Sequence, residues 1–315
     1  VSESSKPRAQ SLLVVGLGEL IWDVFPEGRR LGGAPSNFAY LSRLLGAEAA
    51  VASRVGRDPL GAEALERLGR AGVSTRYVQT DDSHPTGTVG CVVGAGGEAH
   101  FNVNLNSAWD YIEWTREWEG LAARAGVVCF GTLGQRHPAA RATVTRFVEA
   151  TRADALRLFD VNLRHSFFTP EMLARSLALS TVVKLNEDEL EAAAGMLALG
   201  ASGAVASADA LLRRFDLDLV AVTRGARGSL LVSREGADEH AGFPARVADT
   251  VGCGDAFAAA LALCRRRGAP LALSNEIANR VGAWVATQTG ATPEADPATV
   301  ARLLEGLQTG RNYMR

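Results

Sequence analysis

The residues with the clearest potential for chemistry lie between Asp249 and Ala260, in the run D-T-V-G-C-G-D-A-F-A-A-A. A glycine-bracketed turn, Gly252-Cys253-Gly254, leads through Asp255 into an alanine-rich stretch, Ala256 to Cys264, of strong helix propensity. The first backbone N–H groups of a helix have no partner within it, and the positive end of the helix dipole lies behind them. The amides of residues 252 to 255 are therefore suited to an anion. Asp255 places a carboxylate in that same first turn. Two readings stand side by side: a helix cap, which Asp often provides, or a general base taking a proton from an attacking hydroxyl.

A second polar cluster opens the chain. The apolar run Ser11 to Val15 reads as a buried strand and ends in Gly16-Leu17-Gly18-Glu19. The third glycine of a dinucleotide fingerprint is missing, and Leu20 to Phe25 stays apolar, so a nicotinamide-dependent oxidoreductase is disfavoured. Asp23 stands among Ile21, Trp22, Val24 and Phe25. A carboxylate in such company needs hydrogen-bond donors, supplied either by its own turn or by a polyol. Next comes R-L-G-G-A-P-S-N-F-A-Y-L-S-R-L-L-G, Arg30 to Gly46. Gly32 and Gly33 allow close approach of a ligand. Pro35, Ser36 and Asn37 open a helix with an apolar stripe at Phe38, Leu41, Leu44 and Leu45, closed by Gly46. Asn37 is either a cap or a ligand for a sugar hydroxyl.

These residues need a frame. A strand over Ala49 to Val55 and a helix over Gly61 to Ala71 continue an alternation that predicts a parallel sheet covered by helices. Between Thr86 and Asn104 the period changes to two β-rich runs around Gly94 to Gly97, a hairpin signal. A hairpin interrupting the alternation predicts a separate small sheet acting as a lid. Alternation resumes with strands at Val127 to Phe130, Leu156 to Val161, Thr181 to Leu185 and Leu219 to Thr223, and with a helix from near Pro138. Polar residues recur at the carboxyl ends of these strands: Asn162 and Arg164, K-L-N-E-D-E-L from Lys184, and T-R-G-A-R-G-S from Thr223. Ligands bind at that edge of open α/β sheets. One α/β domain over residues 11–310 is expected, with a lid from about 19–31 and 86–110.

Composition removes other classes. The 315 residues carry 33 basic and 35 acidic side chains, a net charge of -2, with no basic stripe for nucleic acid. No apolar run approaches the roughly 20 residues that span a bilayer. Residues 1–10 are polar and lack a signal-peptide core. They are expected to form a flexible tail, and the absent initiator Met suggests a trimmed or engineered start. Cys91, Cys129, Cys253 and Cys264 form no C-x-x-C pair, which argues against disulfides or structural zinc and fits a reducing cytoplasm. His84, His100, His137, His165 and His240 show no metal-ligand spacing.

With G-G-A-P-S-N-F-A near one end and D-T-V-G-C-G-D-A-F near the other, the chain resembles the PfkB/ribokinase-like sugar kinases. The resemblance runs from Val14 to about Pro293, and N-E-D-E and T-R-G-A-R-G fit it. Cys253 stands where such kinases usually carry alanine. The resemblance implies a ribokinase-like α/β fold and an ATP-dependent phosphotransferase with Asp255 as base. The amides of Gly252, Cys253, Gly254 and Asp255 would hold the charge on the transferred phosphoryl group. It further implies Asp23, Gly33 and Asn37 on sugar hydroxyls, with Arg164 near the sugar or the phosphate. Asn186 and Glu189 would help place Mg²⁺ and the phosphates through water. Thr223, Gly225, Gly228 and Asn279 would bind ATP. Asp249 with the turn Ala286 to Gly290 would hold a monovalent cation such as K⁺. Lids of this kind often pair two subunits, which implies a homodimer.

Between Thr86 and Trp114 there is no Lys or Arg, so an anionic acceptor would lose its hydration there without a partner. With Ala34 and Pro35 where phosphosugar kinases and ribokinases tend to carry lysine, the pattern G-E-L-I-W-D plus G-G-A-P-S-N is most similar to the fructokinase branch. A neutral hexose, fructose first, is the expected acceptor. The rivals are a kinase for a nucleoside, with Phe101 or Trp109 as an aromatic slot, or for 2-keto-3-deoxygluconate. From another class comes a non-catalytic sugar-binding regulatory protein.

Overall fold

The computed structural model describes residues 12–26, 28–93, 99–164 and 167–307, with only the backbone described for those of residues 91–102 that it includes. The expected tail, the Gly94 to Gly97 turn and the Phe101 side chain lie outside the described residues. The chain opens with β1 (Leu13–Leu17), β2 (Ile21–Phe25), β3 (Gly28–Gly32), α1 (Ala34–Leu44), β4 (Glu48–Gly56), α2 (Pro59–Arg70) and β5 (Val78–Asp81). It continues through β6 (Gly87–Val93), β7 (Ala99–Val103), α3 (Arg116–Ala122), β8 (Val127–Gly131), α4 (Pro138–Glu149), β9 (Leu156–Asp160), α5 (Pro170–Leu179) and β10 (Val182–Asn186). Then come α6 (Glu187–Met196), α7 (Ala204–Arg214), β11 (Leu219–Thr223), β12 (Ser229–Ser233) and β13 (Gly236–His240). Three helices finish the described chain: α8 (Cys253–Arg266), α9 (Leu271–Ala286) and α10 (Pro297–Leu303).

Among the described residues the main sheet runs β13-β12-β11-β10-β9-β8-β1-β4-β5. It is parallel from β5 to β11. Only the β11-β12 and β12-β13 pairs are antiparallel. The period of two along each strand divides the core. Val15 and Leu17 point to the layer of α3 to α7, while Val14 points to the layer of α1, α8 and α9. Helix α8 packs beside β9, flanked by α1 and α9, which themselves lie on the sheet. Its alanines at 256, 258, 259, 260 and 262 are all buried. Small side chains all round let a helix sit that deep.

The hairpin expectation holds for β6 and β7, which pair antiparallel. They join β2 and β3 in a separate sheet of order β3-β2-β6-β7. Leu20 to Phe25, apolar without helical character, thus contributes a strand to the second sheet. That sheet rests on the main body through Leu20, Trp22 and Leu31, packed on Val51, Val55, Ala64 and Leu68. A smaller cluster of Ile21, Val89, Val103, Trp109 and Leu133 seals its inner side. Among the described residues no helix is long and apolar enough to cross a membrane.

Strand β1 and helix α1 touch at Gly16, where a Cβ would collide with the Pro35 carbonyl. Gly16→Val is expected to push α1 off the sheet and cost about 3 kcal/mol or more, overpacking against rigid backbone. Urea denaturation measures the loss.

Candidate active site

The strand order reverses between β1 and β8, and a cavity of about 910 Å³ opens beside that point. Its floor and walls come from the carboxyl ends of β1, β9, β10 and β11, the start of α8 and the inner side of the second sheet. This is where an open α/β sheet leaves room for a ligand. Asp23, Gly33, Asn37, Arg164, Asn186, Glu189, Thr223, Gly252, Gly254 and Asp255, chosen from the sequence, all line it.

Gly252 sits at φ 82°, ψ -6° and begins α8. A side chain there would be strained and would also lie 2.5 Å from the Ala291 Cβ. Among the described residues no carbonyl accepts from the amides of Gly252, Gly254 or Asp255. The Cys253 amide differs: it lies 3.3 Å from the Thr250 carbonyl. The expected set of four bare amides is thus three, with the fourth loosely held by its own turn. Burial, with Asp249 and Asp255 nearby, pushes the Cys253 thiol up to about 11, so it stays neutral.

Asp255 is not a cap, since no side chain caps α8. Its Oδ2 accepts from Asn37 Nδ2 at 2.8 Å. Burial pushes its carboxyl up to about 6, aided by repulsion from Asp160, while Lys184, the Asn37 hydrogen bond and Arg164 pull down. Asn37 likewise caps nothing, because α1 begins at Gly33 without a side-chain cap. Its Nδ2 orients Asp255, and its buried Oδ1 has no partner among the described residues.

Lys184 was not singled out in the sequence, yet it belongs to this cluster. It is the register partner of Asp160 across β10 and β9, and its Nζ lies 3.0 and 3.1 Å from the two Asp160 oxygens. A Cβ at Gly254 would fall 2.8 Å from that nitrogen, so a side chain there would push the ammonium away from the turn. Burial opposes the lysine charge, but Asp160, Asp255 and Glu189 outweigh it and hold its pKa above the usual value. The signal was a lysine inside V-V-K-L and an aspartate ending L-F-D, charges within buried strands.

Glu189 and Asn186 form a capping box at α6. Asn186 Oδ1 accepts from the Glu189 amide and Glu189 Oε2 from the Asn186 amide, both at 2.8 Å. Glu189 Oε1 accepts from the Leu163 amide at 3.0 Å. Each Glu189 carboxylate oxygen keeps a lone pair for a water or an ion. Thr223 reaches the cavity, whereas Gly225, Gly228 and Asn279 do not line it. The Asn279 Nδ2 is spent on Ser229 Oγ at 2.7 Å and on the Asn275 carbonyl at 2.8 Å. That network ties β12 to α9, which gives Asn279 a structural task the sequence did not reveal.

Asp249 has partners on both of its oxygens. Its Oδ2 receives Arg30 Nη1 at 2.8 Å and the Gly290 amide at 3.1 Å, and its Oδ1 the Val251 amide at 3.0 Å. The carboxylate expected to hold a monovalent cation is already faced by a guanidinium. Arg30 comes from β3, so the second sheet does present cations, although residues 86 to 114 have none. Arg29 pairs with Glu63 and Arg136 with the buried Asp110. Trp109 is fully buried beneath Arg136, 4.1 Å from ring centre to guanidinium carbon, and does not line the cavity.

Two more carboxyls complete the walls. Burial pushes Asp23 up to about 6, with Arg30 and Arg164 opposing, and its carboxylate packs over Gly32. Glu19, absent from the sequence-based selection, is buried and lines the cavity. Arg164 is exposed at the mouth, its Nη1 3.3 Å from the Leu163 carbonyl.

The description of one protein family, the pfkB family carbohydrate kinases, matches residues 14–298. A fructokinase of Klebsiella pneumoniae is 31% identical over 294 residues, covering 87% of this chain and 93% of that protein. The crystal structure of an uncharacterized sugar kinase from Pyrococcus horikoshii in complex with ATP is similar with a TM-score of 0.76 at 25% identity, covering 92% of this chain and 97% of the other. Aminoimidazole riboside kinase from Salmonella enterica, complexed with aminoimidazole riboside and an ATP analog, gives 0.76 at 25% identity, covering 93% and 100%.

Lys184→Met removes one half of a buried ion pair and leaves Asp160 uncompensated beside Asp255. It is expected to cost about 3–5 kcal/mol of stability in urea denaturation.

Proposed function

This chain belongs to the pfkB family of carbohydrate kinases, and from that premise we propose that it transfers the γ-phosphoryl group of ATP to a primary hydroxyl of a neutral sugar, fructose first. Membership of that family, with ATP-bound kinases among its structural neighbours, supports an enzyme of phosphoryl transfer. The observation that carries the mechanism is Asp255, held by Asn37 beside the bare amides of Gly252, Gly254 and its own residue. The carboxylate takes the proton of the acceptor hydroxyl as its oxygen attacks the γ-phosphorus, and ADP leaves from the far side. The amides face the charge gathered on the transferred group, and Lys184 behind Gly254 adds to that field. Magnesium would neutralise charge on the phosphates, and Asn186 and Glu189 would hold it through water, as their remaining lone pairs allow. ATP would lie toward Thr223 and the turn Gly225 to Gly228. The second sheet would act as the lid.

A neutral acceptor fits the charges present. Glu19, Asp23 and Asp255 face the cavity, against Arg164 at the mouth and a Lys184 already paired with Asp160. A phosphate or carboxylate on the sugar would meet three carboxyls. The fructokinase from Klebsiella supports the choice of fructose. The aminoimidazole riboside kinase marks the second reading, and Phe25 is the sole aromatic side chain lining the cavity among the described residues. Arg30 already covers one face of that ring, at 4.9 Å, which favours a small polyol over a base.

A coupled assay on a panel of sugars with ATP and magnesium tests the assignment. Turnover of 2-keto-3-deoxygluconate, a riboside or a sugar phosphate with none of fructose would overturn it. Asp255→Asn is expected to lower kcat by about 10³-fold while sugar binding stays within a few fold, as calorimetry can show. A base works only when ionised, so kcat/KM should fall as pH drops through about 6, the value to which burial raises both Asp255 and Asp23. Glu19, whose carboxyl burial and Asp255 raise to about 7, contributes to the same limb. A pH profile flat down to pH 5 would remove Asp255 from the role.

A further inference from the structure

Glu19 follows β1 and is walled by glycines. A Cβ on Gly33 would lie 2.5 Å from the Glu19 carbonyl, and one on Gly134 would lie 3.1 Å from Glu19 Oε2. The residue is 2% exposed, yet it lines the cavity. The amides of Glu19 itself and of Ala34 face its carboxyl. Its Oε2 is buried and accepts no hydrogen bond within normal geometry among the described residues. An orphaned carboxyl oxygen costs free energy, and because this one lines the cavity a group entering the cavity can satisfy it. Burial and the nearby Asp255 push this carboxyl up to about 7, with Arg164 opposing. Near neutral pH the group therefore both accepts and donates, which matches a hydroxyl, itself donor and acceptor.

We propose that Glu19 is an acceptor-binding residue, whose free Oε2 bonds a hydroxyl of the sugar on the wall of the cavity near Asp255. The inference rests on the sugar-kinase reading and deepens it: Asp255 serves the reacting hydroxyl, and Glu19 selects for a non-reacting one. A site built to bond a hydroxyl discriminates strongly against a substrate that lacks it, because the protein group is then left unpaired.

Wild type, Glu19→Gln and Glu19→Ala are to be compared by steady-state kinetics with ATP and magnesium on the best neutral sugar of the panel and on its single-deoxy analogues. Melting curves at pH 8 accompany each protein. Glu19→Ala is expected to raise KM for the sugar at least about tenfold, with kcat and the KM for ATP within about threefold. One deoxy analogue should be poor on wild type yet no worse than the parent sugar on Glu19→Ala. Glu19→Gln, which keeps an acceptor and a donor, should show a smaller rise in KM and melt no lower than wild type. Unchanged KM in both variants overturns the proposal. So does a deoxy series on which Glu19→Ala loses as much as wild type at every position, or a fall in kcat and melting temperature together, the mark of structural support for β1 and α1. A wild type inert toward every sugar rejects the kinase reading itself and this inference with it, so the two failures are told apart.

Discussion

The base role proposed for Asp255 needs a negative charge in a place that opposes one. Burial and Asp160 both favour its protonation, and the bare amides at the head of α8 draw anions other than its own carboxylate into the same space. What holds the charge is a short chain of contacts. Asn37 donates to the carboxylate, and Lys184 stands behind Gly254. Asp160 fixes Lys184 through two oxygens. Because Asp160 and Lys184 are register partners on adjacent parallel strands, a slip of one residue between β9 and β10 would turn one of them to the opposite face. The pairing of the sheet is in this sense part of the site.

The rest of the fold follows from bringing these pieces together. Asn37 stands early in the chain and Asp255 late, and only the packing of α1 against α8 makes them neighbours. That packing is close because α8 presents alanines and α1 starts on a glycine pair. The reversal of strand order between β1 and β8 opens the gap that the cavity occupies. The second sheet lines its far side with Ile21, Val89 and Val103, apolar residues that would exclude water in the proposed reaction.

The walls carry a cost. Glu19, Asp23 and Asp255 all have carboxyl groups raised by burial, and each binds its proton more tightly in the folded chain than in the unfolded one. The sign follows: their contribution to stability declines as pH rises from about 4 through their folded values of about 6 to 7. Asp58 and Asp81 work in the opposite direction. Both are desolvated, but backbone amides bring them below the usual carboxylate value, so what they contribute is lost only as the solution becomes acidic. Asp58 and Asp81 are held by several donors each. Glu19, Asp23 and Asp255 have fewer, and that difference separates the two groups.

Much of this was legible before any coordinates. The alternation of apolar strands and amphipathic helices determined a parallel sheet with helical cover, and the run from Asp249 to Ala260 determined a turn of free amides with a carboxylate behind it. These are local consequences of periodicity and of backbone valence, and neighbours in sequence settle them. Residues 19–31 were expected in the lid but not read as strands, because β2 and β3 find their sheet partly through β6, far along the chain. The same limit governed single side chains. The contacts of Lys184, Glu19, Asn279 and Asp249 depend on partners that the sequence places 24, 15, 50 and 219 positions away, counting to Asp160, Ala34, Ser229 and Arg30. A charged residue in an apolar strand announces that it must be compensated. Which group compensates it, and whether a lone pair is left over for a ligand, is decided only when strands and helices close on one another and water is shut out.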